Sequence, residues 1–149
     1  MAVKDIKPST KVDVYNNIFN RVGFELASGR RIDLDRNGQF KKVTVEDLDY
    51  LLSVAPAMLK EGIIYIKNKV VREYLDIKEY YENGAVVASE LIDAILEQPA
   101  EELEDTIKKA SVSAKKEIAK KAQEKADELT GGQVKAIEKG TGIEVTDKF

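Results

Sequence analysis

Two residue types that carry much of enzyme chemistry, cysteine and histidine, are missing from this 149-residue sequence. Without cysteine there is neither a disulfide nor a thiol nucleophile, and without histidine the commonest general base is absent. The usual zinc sites need one or the other. No pair of carboxylates is set apart by apolar neighbours in the way that acid–base chemistry requires. The sequence therefore predicts a non-enzymatic protein with no catalytic residues, no metal and no cofactor.

Long apolar runs and an excess of one charge are missing as well. No stretch approaches the roughly 20 apolar residues of a membrane span, and the first eleven residues lack the apolar core of a signal peptide. Lysine and arginine number 24 against 27 aspartates and glutamates, and the two signs are interspersed. A surface that binds duplex nucleic acid normally shows a segregated basic excess. We therefore expect neither a nucleic-acid partner nor a membrane partner.

Turn signals divide the first 45 residues into about four short strands. Glycine tolerates a positive φ, so Ser28-Gly29 and Asn37-Gly38 indicate turns, and Asn-Gly between alternating apolar residues is a leading hairpin signal. Asn16-Asn17 indicates a further turn, through which a strand at 11–15 could pair with a strand at 21–27. These strands predict a small sheet or open barrel.

A packed helix and a returning strand complete this unit. Thr44 with Asp47 forms a variant of the capping box, which predicts that a helix opens at Val45. Pro56 should end or kink that helix, and the apolar, β-branched segment at 63–67 indicates a buried strand. Asn68 can cap one more helix. The sequence thus predicts an N-terminal arm at 1–11 and an α+β domain at 12–78.

The remaining residues, 79–149, predict a helical region with an extended C-terminal segment. A helix is expected from Val86 to Leu96, and Pro99 suits the first turn of the next helix. An apolar stripe then predicts one long helix, closed by Gly131-Gly132 and followed by a short helix and an extended end at 141–149. The stripe is half alanine and buries little area, so the helix should lean on its own body or on a partner. The stripe consists of Leu103, Ile107, Ala110, Ala114, Ile118, Ala122, Ala126 and Leu129.

The segment from Asp33 to Gly38 matches the first half of a calcium-binding loop, in which alternate oxygen ligands precede a glycine. The twelfth position of such a loop should be glutamate, and here it is Thr44. The flanking residues indicate strand rather than helix. We therefore favour a hairpin whose Asp and Asn residues serve the turn geometry.

Three pairs of lysines, at 108–109, 115–116 and 120–121, resemble a ladder for phosphates. Acidic residues between them cancel most of the field, and no aromatic residue from Glu82 to Lys148 offers a stacking surface for bases. A solvated helix face is therefore the favoured interpretation.

Tyr74, Tyr80 and Tyr81 cluster where the two predicted parts meet. Tyrosine is enriched at interfaces because it combines apolar area with a polar tip. The three side chains are candidates for partner binding, and packing of the helical part onto the sheet is an equally good interpretation.

Three segments together resemble small structural or assembly proteins of tailed bacteriophages. They are IDLDRNGQFKKVTVEDLDYLL, the return strand IIYIKN, and the end GQVKAIEKGTGIEV. In that family a strand leads into a glycine turn, a lysine-bearing strand and an acidic helix start. The alanine- and lysine-rich stretch at 115–130 departs from the pattern.

The resemblance implies a virion component that works through repeated subunit contacts with itself or with another virion protein such as a major capsid protein. Its place would be capsid-associated, in the neck or in the tail, after assembly in the bacterial cytoplasm. Subunits in shells and rings exchange arms by adding a strand to a sheet edge, so Ile143, Val145 and Phe149 are further candidates for partner binding. The alternative is a small phage or bacterial regulator that binds and modulates a host enzyme.

Overall fold

The computed structural model describes residues 2–146, which contain five strands, eight α-helices and three short 3₁₀ helices. The strands are β1 (Lys11–Asn16), β2 (Val22–Glu25), β3 (Arg31–Leu34), β4 (Phe40–Thr44) and β5 (Ile64–Tyr65). The helices are α1 (Val45–Val54), α2 (Ala57–Lys60), α3 (Lys69–Tyr74), α4 (Lys78–Glu82), α5 (Ile92–Leu96), α6 (Ala100–Lys109), α7 (Val112–Glu124) and α8 (Gly131–Thr141). The predicted fold class, α+β with strands first and a helical part after them, is confirmed.

The strands form two sheets rather than one. In the first, β1 lies between β4 and β5 and is antiparallel to both. In the second, β2 and β3 form a hairpin around the predicted turn at Ser28-Gly29, where Gly29 has φ +87°. The predicted pairing of β1 with the segment at 21–27 is therefore wrong, as is the hairpin at Asn37-Gly38, because β3 and β4 share no ladder.

The physical reason for both errors lies in Asn16 and Asn17, which are buried rather than placed in a tight turn. The Asn16 side chain donates to the carbonyls of Asn20 and Leu34, at 2.8 and 3.0 Å. The Gly38 N–H, in a left-handed turn, donates to the Asn16 carbonyl. The turn at Gly38 thus fixes the start of β4 beside the end of β1.

The capping box at the start of α1 is confirmed. The Asp47 N–H donates to the Thr44 hydroxyl at 3.1 Å, and the Thr44 N–H donates to the Asp47 carboxylate at 3.0 Å. The first N–H groups of α1 also find partners in the N-terminal segment, since Val45 donates to Thr10 and Glu46 donates to Pro8. The segment predicted as an arm therefore lies on its own domain.

Two clusters of buried apolar side chains lie on either side of the predicted boundary at residue 78. The first combines one face of both sheets with α1 to α3 and reaches from Ile6 to Ile77. The second lies among α5 to α8 and reaches from Ile92 to Val145. The segment at 83–89 joins them.

The predicted long helix is two helices. Ala110 leaves the helical conformation with ψ 149°, and the Ser111 hydroxyl caps α7 by accepting from the Ala114 N–H. The same hydroxyl donates to the Glu61 carbonyl at 2.7 Å, which ties the break to the N-terminal domain. The apolar stripe is therefore covered by its own chain, with α8 packed against both α6 and α7.

Two further helix limits differ from expectation. Val86 and Val87 are not helical, because the Val86 N–H donates to the Tyr80 carbonyl and the Val87 carbonyl accepts from Asn17. Gly131 and Gly132 open α8 instead of closing a helix, since they lie between Thr130 and Gln133, which form the capping box of α8.

The end of the chain also differs from expectation. After Gly142, which ends α8 in a left-handed conformation, residues 143–146 form no strand. The rest of the predicted extended end, 147–149, lies outside the described residues.

Candidate functional site: an aromatic row and the adjoining cleft

Four aromatic rings lie side by side along the three-stranded sheet and α4, in two contacting pairs. Phe40 and Tyr65 lie directly opposite Tyr15 on the neighbouring strands. Residues that are opposite in an antiparallel pair project from the same face, and the ring centroids of Tyr15 and Phe40 are 5.3 Å apart. The ring of Tyr81, from α4, meets the ring of Tyr65 edge to face at 5.3 Å. We call Phe40, Tyr15, Tyr65 and Tyr81 the aromatic row.

Three rings of the row lie on strands, those of Phe40, Tyr15 and Tyr65, and they project from the side of the sheet that faces away from the N-terminal core. Side chains alternate along a strand, and the inward positions of β1, Val12 and Val14, are buried. Phe40, at the free end of the row, remains 51% exposed. The sheet therefore presents a surface of aromatic rings outside the core.

Two cations sit on these rings. The Lys67 ammonium lies 4.3 Å from the centre of the Tyr15 ring, and the Arg72 guanidinium carbon lies 3.9 Å from that of Tyr81. Such cation–π contacts contribute about 0.5–1 kcal/mol at exposed sites. Arg72 is also held through its Nε, which donates to the Ile66 carbonyl at 2.6 Å. The guanidinium is thus fixed before any partner arrives.

Tyr81 is the most deeply anchored ring of the row. Its hydroxyl accepts a hydrogen bond from the Ile66 N–H at 3.0 Å. Burial disfavours the charged phenolate and raises the pKa of Tyr81 to about 12. Tyr81 therefore stays neutral at physiological pH and serves as a wall and a hydrogen-bonding group rather than as a base.

Beside Tyr65 and Tyr81 lies a cleft of about 340 Å³, which we call the junction cleft because the segment between the two cores forms one of its walls. Its floor is apolar, and Leu91 at its edge is 54% exposed. Arg72 and Lys109 bring two positive charges to its rim, and among residues 2–146 no carboxylate side chain lines it. The apolar lining consists of Val86, Val87, Ala88, Leu91 and Ile95.

The three tyrosines predicted as partner-binding residues all pack against the N-terminal core, and only Tyr81 joins the aromatic row. Tyr74 ends α3, and Tyr80 lies beneath the Lys60 ammonium at 5.6 Å. The packing interpretation thus accounts for all three, and their contact with a partner stays a prediction.

The C-terminal candidates are placed differently from one another. Val145 is 5% exposed within the C-terminal core, and its N–H donates to the Glu138 carboxylate at 3.0 Å. Ile143 is half-buried, and Phe149 lies outside the described residues. To reach a neighbouring subunit, Val145 would have to leave its own core, so the proposed arm exchange also stays a prediction.

The acidic residues of the calcium-like segment pair with arginines. Asp35 lies 3.0 Å from the Arg21 Nε, and Asp33 accepts from the Arg31 Nε at 3.0 Å. Within residues 2–146 no group of three or more acidic, cysteine or histidine side chains is arranged to hold a metal ion.

Some lysines of the C-terminal helices pair with acids, including Lys108 and Lys121 of the six predicted to resemble a ladder. Lys108 lies 2.6 Å from Glu104, and Lys125 lies 3.0 Å from Asp93. The Glu104 and Asp93 carboxylates each accept a hydrogen bond from their lysine, which lowers their pKa. None of the helices in the described part of the chain is long and apolar enough to cross a membrane.

The aromatic row was missed by the sequence analysis although one signal for it was available. The alternation of β1 places Tyr15 on the face opposite Val12 and Val14. Its neighbours Phe40 and Tyr65 follow only from the strand register, which the wrong pairing of β1 concealed.

Comparison of the chain with protein-family models, with curated proteins and with solved structures gave no match. The surfaces of the molecule are therefore the basis for a functional proposal.

Proposed function

We propose that this chain is a non-enzymatic virion structural or assembly protein of a tailed phage, which acts through contacts with copies of itself or with another virion protein such as a major capsid protein. The observation that supports the proposal is the aromatic row with its adjoining cleft. Tyrosine, phenylalanine and arginine are enriched where proteins meet, and a few such residues supply most of the binding energy. Here they form one surface.

The exposed apolar side chains of that surface favour a protein partner. Phe40 and Leu91 each expose about half of their area, and Arg72 lines the same cleft as Leu91 with its guanidinium over the ring of Tyr81. Within the described part of the chain, β4 is also an edge strand, paired with β1 alone. Edge strands offer main-chain groups to an added strand, so the surface provides both side-chain and backbone contacts.

The segment that resembles phage proteins folds in a manner consistent with the resemblance. The run from Ile32 to Leu52 forms β3, the Gly38 turn, the lysine-bearing β4 and the capped helix α1. The order of these elements is the order that the resemblance implies, and the proposed place in the particle remains capsid, neck or tail.

The test is quantitative mass spectrometry of gradient-purified particles from the source. A fixed copy number relative to the major shell subunit is expected. Two variant phages sharpen the result: the double variant Phe40→Ser, Leu91→Ser should lose incorporation, whereas Val54→Ser, which changes an equally exposed residue of α1 outside the surface, should keep it.

Absence of the wild-type chain from particles, with the protein free in the infected cytoplasm, would refute the proposal. The alternative, a regulator bound to a host enzyme, would then be pursued by crosslinking from the same surface.

A further inference from the structure

We infer that the junction cleft binds an acidic segment of the partner protein, with one large apolar side chain of that segment in the cleft and its carboxylates paired with Arg72 and Lys109. The inference rests on the proposed function, because it names the chemistry of the partner that the surface accepts.

The shape of the cleft fits an apolar anchor. Its volume of about 340 Å³ lies within the range of pockets that take ligand groups. Val87, Leu91 and Ile95 line it with aliphatic carbon, while Tyr65 and Tyr81 supply flat walls. A side chain such as leucine or phenylalanine would bury apolar area against these groups at about 25 cal/mol per Å².

The charge of the cleft fits an acidic segment. Arg72 and Lys109 line it, and Lys67 stands nearby over Tyr15. Within residues 2–146 none of these three cations lies within 4 Å of a carboxylate, whereas Lys108 and Lys125 do. The whole chain carries a net charge of −3, so this cationic rim is a local feature.

The side chain of Arg72 is already held in a position that suits such a contact. Its Nε donates to the Ile66 carbonyl, and its guanidinium carbon lies 3.9 Å from the centre of the Tyr81 ring. A carboxylate that pairs with the outer edge of the guanidinium therefore need not order a flexible side chain. Reduced loss of conformational freedom is how a rigid site gains affinity.

The same features disfavour single-stranded nucleic acid. Bases stack on open aromatic faces, and here cations already lie over Tyr15 and Tyr81. The wall of the cleft that no cation covers is aliphatic. The acidic side chain of Glu90 lies beside the row in a smaller neighbouring pocket. These surroundings suit a peptide side chain better than a base and a phosphate.

The experiment measures fluorescence anisotropy of labelled probes with the full chain. The first probe is a capped ten-residue peptide of glutamate and aspartate with one leucine and one phenylalanine at its centre. The other probes are the same peptide with lysine for every acid, the same peptide with alanine for both apolar residues, and a ten-nucleotide oligothymidylate. Only the first is expected to bind, and raised salt should weaken it.

Two variants locate the site, and a third is their control. Lys109→Glu replaces an attractive charge by a repulsive one, and Leu91→Ser removes the apolar edge, so each should weaken the first probe about tenfold or more, which corresponds to about 1.4 kcal/mol. Lys116→Glu makes the same charge change at an exposed position of α7 and should leave binding unchanged.

Several results would overturn the inference: preferred binding of the lysine peptide or the oligonucleotide, no loss with alanine in place of the apolar pair, or equal effects of Lys109→Glu and Lys116→Glu. If the acidic probe does not bind but the chain is present in purified particles, this inference alone is refuted. If that probe binds but the chain is absent from particles, only the proposed place in the virion is refuted.

Discussion

Replacement of Asn17 by alanine is expected to destabilise the protein strongly, because this one side chain joins three segments. Its Nδ2 donates to the carbonyls of Gly62 and Val87, both at 2.8 Å, and its Oδ1 accepts from the Ser89 N–H at 2.8 Å. Asn17 itself is buried. The three bonds connect the loop after β1 with the start of β5 and with the wall of the junction cleft.

The magnitude follows from these three bonds. Each contributes about 1 kcal/mol, and a buried group that loses its only partner adds the penalty of going unpaired. The expected loss in the free energy of unfolding is therefore about 3–4 kcal/mol, a large share of the roughly 5–15 kcal/mol of a typical domain. The Ser89 amide should also exchange its hydrogen faster.

Urea unfolding followed by circular dichroism measures the loss, and hydrogen exchange measures the local effect. The matched control is Asn37→Ala, which removes bonds to the Ile18 carbonyl and the Ser89 hydroxyl at an exposed site. Water can replace those bonds, so a loss below about 1 kcal/mol is expected. A loss for Asn17→Ala no larger than that of the control would refute the reasoning.

Three further changes have defined outcomes. Gly140→Ala should lower the free energy of unfolding by about 1–3 kcal/mol in urea titrations, because its Cβ would lie 2.7 Å from a methyl of Ile107. Tyr81→Phe should cost about 1 kcal/mol by losing the bond from Ile66, and should remove from the absorbance titration the tyrosine with a pKa of about 12. Burial raises the pKa of Glu117, so the folded protein keeps this proton to a higher pH than the unfolded chain does. The free energy of unfolding should therefore fall as the pH rises from the ordinary glutamate pKa through the raised one. The variant Glu117→Gln should lack this fall and be more stable at pH 7.

Each of these changes has a control of the same chemistry. Gly132→Ala, whose Cβ would make an ordinary contact at 3.4 Å with Ala100, should be neutral or stabilising in the same urea titration. Tyr50→Phe, at an exposed position, should leave stability and the alkaline titration step of Tyr81 unchanged. Glu101→Gln, also exposed, should keep the pH dependence of the wild type. Equal behaviour of a variant and its control would contradict the corresponding argument.

Features encoded within a few residues were predictable from the sequence. The capping box of Thr44 and Asp47, the Asn68 cap of α3 and the turn at Gly29 each depend on neighbours along the chain, and the structure has all three. The return strand after Gly62 was also expected, since a short β-branched apolar run that follows a turn residue indicates a strand.

Features that depend on distant residues were not predictable. Asn16 and Asn17 resemble turn residues, yet their partners lie as far along the chain as Leu34 and Ser89. Neither proline nor glycine marks the break at Ala110 in the sequence, and the helical spacing of the apolar stripe continues across it. Its cause is the bond from Ser111 to Glu61, a contact between the two cores.

The candidate surface was partly predictable. Tyr81 was singled out because tyrosines cluster near the junction, and it does join the aromatic row. Tyr15 and Phe40 were not, because the row exists only when β1 pairs with β4 and β5. Leu91 falls within the helix predicted from Val86 to Leu96, but its side chain is exposed at the edge of the cleft.

The placement of β1 between two later strands has a consequence for the order of folding. The β2–β3 hairpin needs only neighbours along the chain, but β1 must wait for β4 and then for β5, where Tyr15 lies opposite Tyr65. Until then β1 has no neighbouring strand, and its apolar side chains Val12 and Val14 are not yet buried. Closing a long loop is slow because its entropy is lost before the contact is gained. We therefore expect the joining of β1 and β5 to limit the folding rate, so that the core and the aromatic row are completed in the same step.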